Sequence, residues 1–547
     1  MEQSLPPEAR LPSDPAAGTP APGRTATIAY FVGGGIASLA GAAFLIRDGG
    51  WNGGHIVILE ETSVLGGSLD GAGSAETGYV IRGGRMFADE TYTCTYDLLS
   101  SIPSVDNPHK TVREEIRRFN RQHPTASRCR LVRAGEKIDA SKMGLDNRDR
   151  LDLTEVLGLS EHALGSKRIE DHFQPAFFKT NFWSMWGTMF AFQPWHSLVE
   201  FKRYLHRFFQ EFPRIDTLGG VRRTRYNQFD SIVLPLSRWL QQQGVRFLTG
   251  CRVTDLDFRR GLDGKAVERI RYTRDGAPGA ITVADADYVF VTLGSMTAAS
   301  SLGSMTTAPG LDTRDPGAAW TLWETLARAN PEFGRPAAFN GDVAGSKWLS
   351  FTATLRDPLF FELMEKFSGN PAGTGGLVTF TDSRWLMSIV LAHQPHFLNQ
   401  PKDVQVFWGY GLFPDEEGNF VHKKMSDCSG AEILTELLHH LRFDAHLAAI
   451  LQAANCIPCM MPYITSQFMP RAPGDRPPVV PAGTRHLAFI GQFCEMPDDV
   501  VFTVEYSVRS AQTAVYSLLG LERPLPPIYR GQHDLRMMVD AVKTMLH

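Results

Sequence analysis

The amino-acid sequence predicts an α/β protein, with a Rossmann-like sheet, an inserted substrate-binding domain and mostly helical additional domains. Three observations support this fold class. Residues 27–59 follow the order apolar strand, glycine turn, small-residue helix and apolar strand. Residues 287–293 and 486–490 are two further apolar strands, each followed by glycine. Strand, glycine turn, helix and strand in this order begin a dinucleotide-binding sheet, which the later strands would complete.

The glycine turn has the residue types that a bound pyrophosphate requires. Gly33 and Gly35 fit the first two positions of G-x-G-x-x-G, and Ser38 stands where the third glycine usually lies. The first glycine permits the tight turn, and the second lets the backbone approach a pyrophosphate at the N-terminus of the helix. Glu60 ends the next strand and is placed to accept hydrogen bonds from a ribose.

Further glycines favour FAD over NAD as the dinucleotide. Gly66, Gly67 and Ser68 follow at the spacing of a second glycine-rich loop near the ribose and pyrophosphate. The two later strands end at Gly294 and Gly491. Flavoproteins of this type draw on both ends of the chain to hold a two-ended cofactor, so we predict bound FAD.

The 547 residues are too many for one compact core, so several structural units are expected. Residues 111–215 are helical in pattern and dense in aromatics, residues 245–272 alternate like paired strands, and residues 429–441 form an amphipathic helix. The predicted organisation is a disordered segment (1–24), FAD-binding parts (25–110, 216–300, 481–522), a helical aromatic region (111–215), a substrate-binding domain (301–480) and a C-terminal amphipathic helical tail (523–547).

Composition excludes several classes of function. The net charge of −4 gives no electrostatic footprint for nucleic acid. Seven scattered cysteines favour a reducing cytoplasm over a disulfide framework, and the lone pair Cys456 and Cys459 is expected to be core thiols, so no metal is predicted. No apolar run reaches the ~18 residues of a membrane span, and no signal peptide is evident. We therefore expect a cytoplasmic protein.

Several long, irregular motifs resemble one family. VGGGIASLAGAAFLIRDGG, RGGR, WHS, MMPYIT and IGQF all look like segments of the bacterial oleate hydratases, also called myosin-cross-reactive antigens. The resemblance covers about residues 25–525. It implies three core domains plus a C-terminal one, and bound FAD. It also implies hydration of the C9–C10 cis double bond of oleic-type fatty acids to a 10-hydroxy acid, without net redox.

The resemblance also implies which residues react. In the family a tyrosine in the segment WHS…RRY donates the proton, and this matches Tyr204. A glutamine in a YNQ segment positions the reacting groups, and this matches Gln228. Alkene protonation creates a carbocation-like centre, so an acid and a water must lie on opposite faces, away from bulk water. Without the motif, Tyr204 would be taken for a packing tyrosine on a helix.

The chain departs from the family at the general base. The family has RGGRE, whereas this chain has Arg82, Gly83, Gly84 and Arg85 followed by Met86, which cannot accept a proton. The four RGGR residues resemble the loop that moves against the flavin ring. The next loop carries Asp89 and Glu90. Our hypothesis is that Glu90, or else Asp89, supplies the missing carboxylate. The alternatives are that flavin and backbone hold the water without a base, or that both acids are solvated loop residues.

A second departure affects the site for the fatty acid carboxylate. The family pattern W-T-V-N-R-Q-P-H becomes I-V-L-A-H-Q-P-H at residues 389–396, so Val390 and Ala392 replace two donors while His396 is kept. Two hydrogen bonds to the carboxylate, each worth ~1.5–3 kcal/mol, are lost. We hypothesise that His393 compensates as a cation, or that the site prefers a different chain length or double-bond position.

The sequence is also compatible with other functions. The nucleotide elements alone would also permit a flavin redox enzyme acting on amines or lipids. Met86, Val390 and Ala392 would suit a non-catalytic fatty-acid-binding flavoprotein. The C-terminal amphipathic pattern at 532–546 fits a helix packed on the body or a peripheral helix on a membrane surface. The expected partners are an unsaturated fatty acid and water, and the sequence leaves monomer and homodimer equally open.

Overall fold

A computed structural model describes residues 27–84, 86–261, 264–531 and 543 of the chain. The predicted disordered segment (1–24), Arg85 and nearly all of the predicted C-terminal helix (532–546) lie outside the described residues. Among the helices that the structure describes, none combines the length and the apolar character needed to cross a membrane.

The described residues form eighteen strands and fifteen helices. The strands are β1 (Ala29–Val32), β2 (Ile56–Leu59), β3 (Gly71–Ser74), β4 (Gly78–Ile81), β5 (Leu131–Arg133), β6 (Glu136–Ile138), β7 (Arg246–Leu248), β8 (Cys251–Gly261), β9 (Gly264–Arg274), β10 (Ala277–Thr282), β11 (Tyr288–Thr292), β12 (Ser301–Leu302), β13 (Trp348–Leu355), β14 (Leu377–Phe380), β15 (Met387–Leu391), β16 (Gln405–Gly411), β17 (Ala454–Met461) and β18 (Leu487–Ile490). The helices are α1 (Ile36–Arg47), α2 (Thr93–Leu99), α3 (Val112–Gln122), α4 (Asn147–Gly158), α5 (Glu161–Leu164), α6 (Asn181–Phe190), α7 (Leu198–Arg207), α8 (Leu234–Gln242), α9 (Ala318–Ala329), α10 (Ala337–Asn340), α11 (Val343–Ser346), α12 (Leu359–Ser368), α13 (Gly430–His440), α14 (Leu447–Ala453) and α15 (Val504–Leu519).

A five-stranded parallel sheet in the order β18–β11–β1–β2–β7 forms the first unit. Its central strands are continuous apolar runs, as expected for a sheet covered on both faces. Helices α1 and α15 pack together against β1, β11 and β18. Gly41 lets α1 approach closely, because a Cβ there would lie 2.6 Å from the Phe31 ring. The predicted α/β class is confirmed, with strands drawn from distant parts of the chain.

An eight-stranded sheet in the order β12–β17–β13–β16–β15–β14–β5–β6 forms the second unit. Its neighbours are antiparallel except β14 and β5, which run parallel. Strands β5 and β6 come from the region 111–215, for which the sequence pattern indicated helices. Three-residue strands carry too little periodicity to be recognised, and here pairing with the distant β14 creates them.

The hairpin β3–β4 packs against the eight-stranded sheet. The backbone N–H of Tyr79 donates to the Thr354 hydroxyl at 2.9 Å, and that of Ile81 donates to the Thr352 hydroxyl at 3.1 Å. Both threonines belong to β13 of the large sheet. The segment from Arg82 to Gly84 follows β4 directly, so the hairpin holds it between the two units.

Helices α6 and α7 form a wall of aromatic side chains beside the hairpin. Trp186 contacts the rings of Phe182, Phe190, Phe201 and Phe212. The predicted aromatic density of this region therefore becomes a rigid apolar wall, and α7 presents its C-terminal half toward the segment after β4.

Candidate active site

A cleft of about 560 Å³ opens at the carboxyl ends of the parallel strands. Its walls contain most residues predicted to hold a dinucleotide, namely Gly33, Gly35, Glu60, Gly66, Gly67, Ser68, Arg82, Gly294 and Gly491. Ser38 is fully buried behind the wall, and its hydroxyl lies 3.3 Å from that of Thr292 on β11, so it keeps helix and strand close. Gly83 is buried outside this lining, and Gly84 lines the cavities described below.

The two glycine loops meet at the N-terminus of α1. Gly33 has φ +94°, and the N–H of Gly66 donates to the carbonyl of Gly34 at 2.9 Å. Gly67 has φ +57°, and a Cβ there would lie 3.3 Å from the Gly35 Cα, so the second loop has little room for a side chain at this point. Gly35 caps α1 without a side-chain hydrogen bond, which leaves the first N–H groups of the helix for a ligand. This cradle fits a pyrophosphate.

The Glu60 side chain stabilises the first glycine turn by hydrogen bonding. Its carboxylate accepts hydrogen bonds from the N–H of Gly34 at 2.6 Å and from the N–H and hydroxyl of Thr62 at 2.8 Å. Burial raises the pKa of Glu60, against the opposing effect of these hydrogen bonds. The side chain lines the cleft, and the ribose contact expected from the sequence stays a prediction.

Arg82 ties the segment after β4 to the second glycine loop. Its guanidinium pairs with Asp70 at 2.7 Å and donates to the carbonyls of Gly67 at 3.2 Å and Thr297 at 2.9 Å. The first arginine of the RGGR motif therefore lies in the wall of the cleft. Arg85, the second, lies outside the described residues.

On the far side of Gly84 lies a largely apolar cavity of about 90 Å³, here called the Arg223 cavity. Its lining brings together all the residues predicted to bind substrate, with Gln228 and Met86: Met86, Gln228, Val390, Ala392, His393 and His396. Rings of Trp348, Trp408, Tyr410 and Phe502 complete the walls. Gln228 precedes a π-helical turn, Phe229–Val233, which leads into α8. Met86 and the segment 390–396 are about 300 residues apart in the chain. No local sequence pattern could therefore predict that they line the same cavity.

A second cavity of about 70 Å³, here called the Tyr204 cavity, adjoins the first. The two share the wall residues Gly84, Met86, Met189 and Phe502. Tyr204 on α7 is 1% exposed, and its hydroxyl donates to the carbonyl of Val501 at 2.5 Å. The predicted proton donor and the predicted substrate-binding residues thus lie on either side of Met86.

Neither acid of the loop after Met86 enters these cavities. Glu90 pairs with Arg214 at 3.2 Å, and Asp89 pairs with Arg222 at 2.7 Å. Neither side chain lines the Tyr204 cavity or the Arg223 cavity. Their role in water activation therefore has no support from the geometry.

A carboxylate that the sequence analysis missed lines the Tyr204 cavity instead. Glu211 is 1% exposed, and Arg214 donates to its two oxygens at 2.6 and 3.1 Å. Burial raises the pKa of Glu211, although Arg214 opposes that effect. A glutamate in the run F-F-Q-E-F-P-R resembles an ordinary solvated acid, so only its burial identifies it.

The charge at the Arg223 cavity also differs from expectation. Burial lowers the pKa of His396 to about 4 and also lowers the pKa of His393. Burial therefore favours the neutral form of both imidazoles, and the role of His393 as a compensating cation stays a prediction. The cation in this lining is Arg223, whose pKa burial lowers to about 10, so it stays charged.

An open groove adjoins the Arg223 cavity, since Phe119 and His393 line both. Cationic side chains of α3 and its surroundings dominate the groove, namely Lys110, Arg117, Arg118, Arg121 and Arg225, together with the acids Asp106, Glu114 and Glu115. The groove offers a route from solvent into the apolar interior.

Comparison with known proteins finds one family that matches most of the chain. The model of the MCRA family matches residues 26–516. An oleate hydratase of Streptococcus pyogenes serotype M49 (strain NZ131) is 39% identical over 94% of this chain and 88% of its own. A linoleate hydratase of Lactiplantibacillus plantarum is 34% identical over 94% of this chain and 98% of its own. The cyclohexylamine oxidase of Brevibacterium oxydans IH-35A shares the fold, with TM-score 0.52 and 12% identity over 91% of this chain and 100% of its own.

Proposed function

This chain belongs to the MCRA family, and from that premise we propose that it hydrates the cis double bond of an unsaturated fatty acid. The proposed substrates are oleic-type acids, converted to 10-hydroxy acids without net redox. The names of the two related hydratases support this reaction class. The observation that carries the proposal is the arrangement around Met86, where an apolar cavity lined by the half-buried Arg223 adjoins a cavity lined by Tyr204.

We propose FAD as the cofactor of the cleft. The glycine cradle would hold the pyrophosphate, Glu60 would face a ribose, and Arg82 would lie beside the flavin half. Close approach of backbone to ligand is possible only because these loops carry no side chains. When bound, the flavin would supply polar, electrostatic stabilisation beside the reacting carbons, with no net electron transfer.

Tyr204 would act as the proton donor. Its O–H bond breaks, a C–H bond forms at one alkene carbon, and water adds to the other carbon from the opposite face. A phenol of ordinary pKa near ~10 is a weak acid, so placement must contribute much of the effect. The enclosing rings of Phe190, Phe192 and Phe468 hold the Tyr204 ring in one position and exclude bulk water.

Incubation with oleic acid in oxygen-18 water, anaerobically and with pre-reduced flavin, tests the proposal. We expect a hydroxy acid with one oxygen-18 in its hydroxyl, and a fall of about 10²- to 10⁴-fold for Tyr204→Phe. Absence of labelled product from oleic acid and a panel of cis-unsaturated acids would refute hydration. Substrate-dependent bleaching of oxidised flavin with oxygen uptake would indicate a redox enzyme, and fatty acid binding without turnover a binding protein.

A further inference from the structure

We propose that Glu211 is the carboxylate that activates the attacking water, in place of the glutamate that the family carries at the position of Met86. The inference rests on the proposed hydration and concerns the same site. Glu211 lies on the 3-10 turn Phe209–Arg214, four residues after the end of α7. It therefore enters the Tyr204 cavity from the turn that follows the helix of the proton donor, with Met86 in the wall shared with the Arg223 cavity.

The surroundings of Glu211 hold its carboxylate at the cavity. Arg214 binds both of its oxygens, and Glu90 binds Arg214 from the other side. Opposite lies Gly220, where a Cβ would come within 2.3 Å of a Glu211 oxygen and 2.4 Å of the Arg214 Nε. A side chain at position 220 would displace Glu211 and Arg214, so the observed ion pair requires glycine there.

The net charge around Glu211 is compatible with its acting as a base. Glu211, Arg214 and Glu90 together carry one net negative charge, so Arg214 does not cancel the basicity of the group. A carboxylate has about four lone-pair sites, and Arg214 uses two of those on Glu211. The remaining sites can accept a hydrogen bond from a water in the cavity.

The proton balance closes with this assignment. Tyr204 gives its proton to one alkene carbon, the water oxygen bonds the other carbon, and the second proton of the water passes to Glu211. Return of that proton to the Tyr204 phenolate, through solvent or water in the cavity, regenerates both groups. One water is consumed for each hydroxy acid formed.

Three variants test Glu211 directly. Glu211→Gln should lower kcat for hydration by about 10²-fold or more, while the dissociation constant of oleic acid changes less than about threefold. Adding Met86→Glu to Glu211→Gln restores a carboxylate at the family's position and should recover at least about tenfold of the lost kcat. Glu90→Gln should cause a smaller loss, because Glu90 positions Arg214. Asp89→Asn, which removes a charge paired with Arg222, is the matched control and should leave kcat unchanged.

The outcomes separate this inference from the proposed function. If the wild type does not hydrate any acid, the proposed function fails first. If the wild type hydrates and Glu211→Gln retains its kcat, or Glu90→Gln alone abolishes turnover, the assignment to Glu211 is wrong. Should Glu211→Gln not fold, Glu211→Asp keeps the charge but withdraws it by one methylene. An unchanged kcat in that variant would equally overturn the assignment.

A separate observation leads us to infer that Arg223 binds the carboxylate of the fatty acid. Its guanidinium lines the Arg223 cavity and donates to the carbonyl of Gly373 at 3.3 Å. Within the part of the chain that the structure describes, no Asp or Glu forms an ion pair with it. The side chain is half-buried. Withdrawing a cation from water without an opposite charge beside it is unfavourable, and a carboxylate ligand would remove part of that penalty. Arg223 thereby offsets the two donors lost at Val390 and Ala392.

Binding of oleic acid and of its neutral analogue oleyl alcohol tests this inference without requiring turnover. The wild type should bind the acid more tightly than the alcohol. Arg223→Gln should weaken binding of the acid at least about tenfold and leave binding of the alcohol within about threefold. Arg442→Gln is the matched control and should leave binding of both ligands unchanged, because Arg442 is paired with Glu136 at 3.2 Å and lines neither the groove nor the two cavities.

Equal weakening of both ligands, or unchanged binding of the acid, would show that Arg223 is not the carboxylate site. Should Arg223→Gln not fold, Arg223→Lys keeps the charge. That variant should retain the preference for the acid, and loss of the preference with the charge intact would contradict the inference.

Discussion

At the scale of single residues, Met86 is the main difference between the active site of this chain and that of its family, which has a glutamate at this position. A thioether at that position cannot take a proton, yet Tyr204 and Gln228 stay at the same pair of cavities. The compensating groups that we propose, Glu211 and Arg223, line those cavities. Glu211 is buried and paired with Arg214, whereas Arg223 is half-buried without an acidic partner among the described residues. Charges withdrawn from water are costly, and they concentrate at sites that bind or react.

Replacement of Gly33 should affect both the stability of the protein and its binding of FAD. The φ of +94° at Gly33 strains any side chain, and a Cβ would lie 3.2 Å from that of Thr292, within the cleft. Gly33→Ala should cost about 1–3 kcal/mol of stability and also weaken FAD binding, measured by flavin retention and titration.

Gly50→Ala is the matched control for this change. Gly50 also has positive φ, +69°, but it is exposed with nothing within 4 Å of a Cβ. This variant should lose stability through strain alone and bind FAD normally. Equal loss of flavin in both variants would contradict the role of the first glycine in the cradle.

At the scale of elements, the hairpin β3–β4 is the part that positions the segment from Arg82 to Gly84. Its two strands pair with each other through their backbones, but towards the large sheet the N–H groups of Tyr79 and Ile81 donate to two threonine hydroxyls of β13. The segment between cleft and cavities therefore depends on two side-chain acceptors in a different sheet.

Thr352→Val should destabilise the protein by about 1–3 kcal/mol, because the buried N–H of Ile81 loses its acceptor without a change of side-chain shape. Denaturant unfolding measures this, and exchange of the Ile81 amide should quicken. Thr352→Ser retains the acceptor and should stay within about 1 kcal/mol of the wild type. A valine variant as stable as the wild type would contradict the importance of this contact.

At the scale of the whole molecule, buried charges join segments far apart in the chain. Glu200 on α7 accepts hydrogen bonds from Arg471 at 2.9 Å and Arg476 at 2.8 Å. Burial alone would raise the pKa of Glu200, but Arg476, Arg471 and Arg203 lower it to about 2. This network fixes the helix that carries Tyr204 against the loop after β17.

The network predicts a pH dependence of stability. Because folding lowers the pKa of Glu200 from its usual 4.5, its contribution is complete above pH 4.5 and is lost as pH falls towards about 2. Glu200→Gln should remove this part of the acid dependence. It should also cost about 3–5 kcal/mol at pH 7, because it leaves buried arginines unpaired.

Asp315→Asn is the control, since it breaks an exposed ion pair with Arg252 and should cost at most about 1 kcal/mol. Thermal unfolding from pH 2 to 7 measures all three proteins. An identical acid dependence in Glu200→Gln and the wild type would show that Glu200 is not ion-paired as described.

Local chemistry was sufficient to predict the nucleotide-binding unit. Glycine at 33 and 35, apolar strands of four or five residues and a small-residue helix act over neighbouring positions, so their consequences follow from the sequence directly. The alternating strands at 245–272 and the amphipathic helix at 429–441 were predictable for the same reason, and the structure confirms them as β8–β9 and α13.

Only the tertiary structure decided which charges enter the site. Glu90 and Glu211 are both glutamates close to expected active-site segments, but Glu90 turns to Arg214 outside the cavities and Glu211 lines one of them. Arg223 lines its cavity without a carboxylate partner among the described residues, whereas Arg225, two residues later, lines the open groove and pairs with Asp106. Local sequence does not determine burial or ion pairing, because both depend on segments brought together from hundreds of residues away.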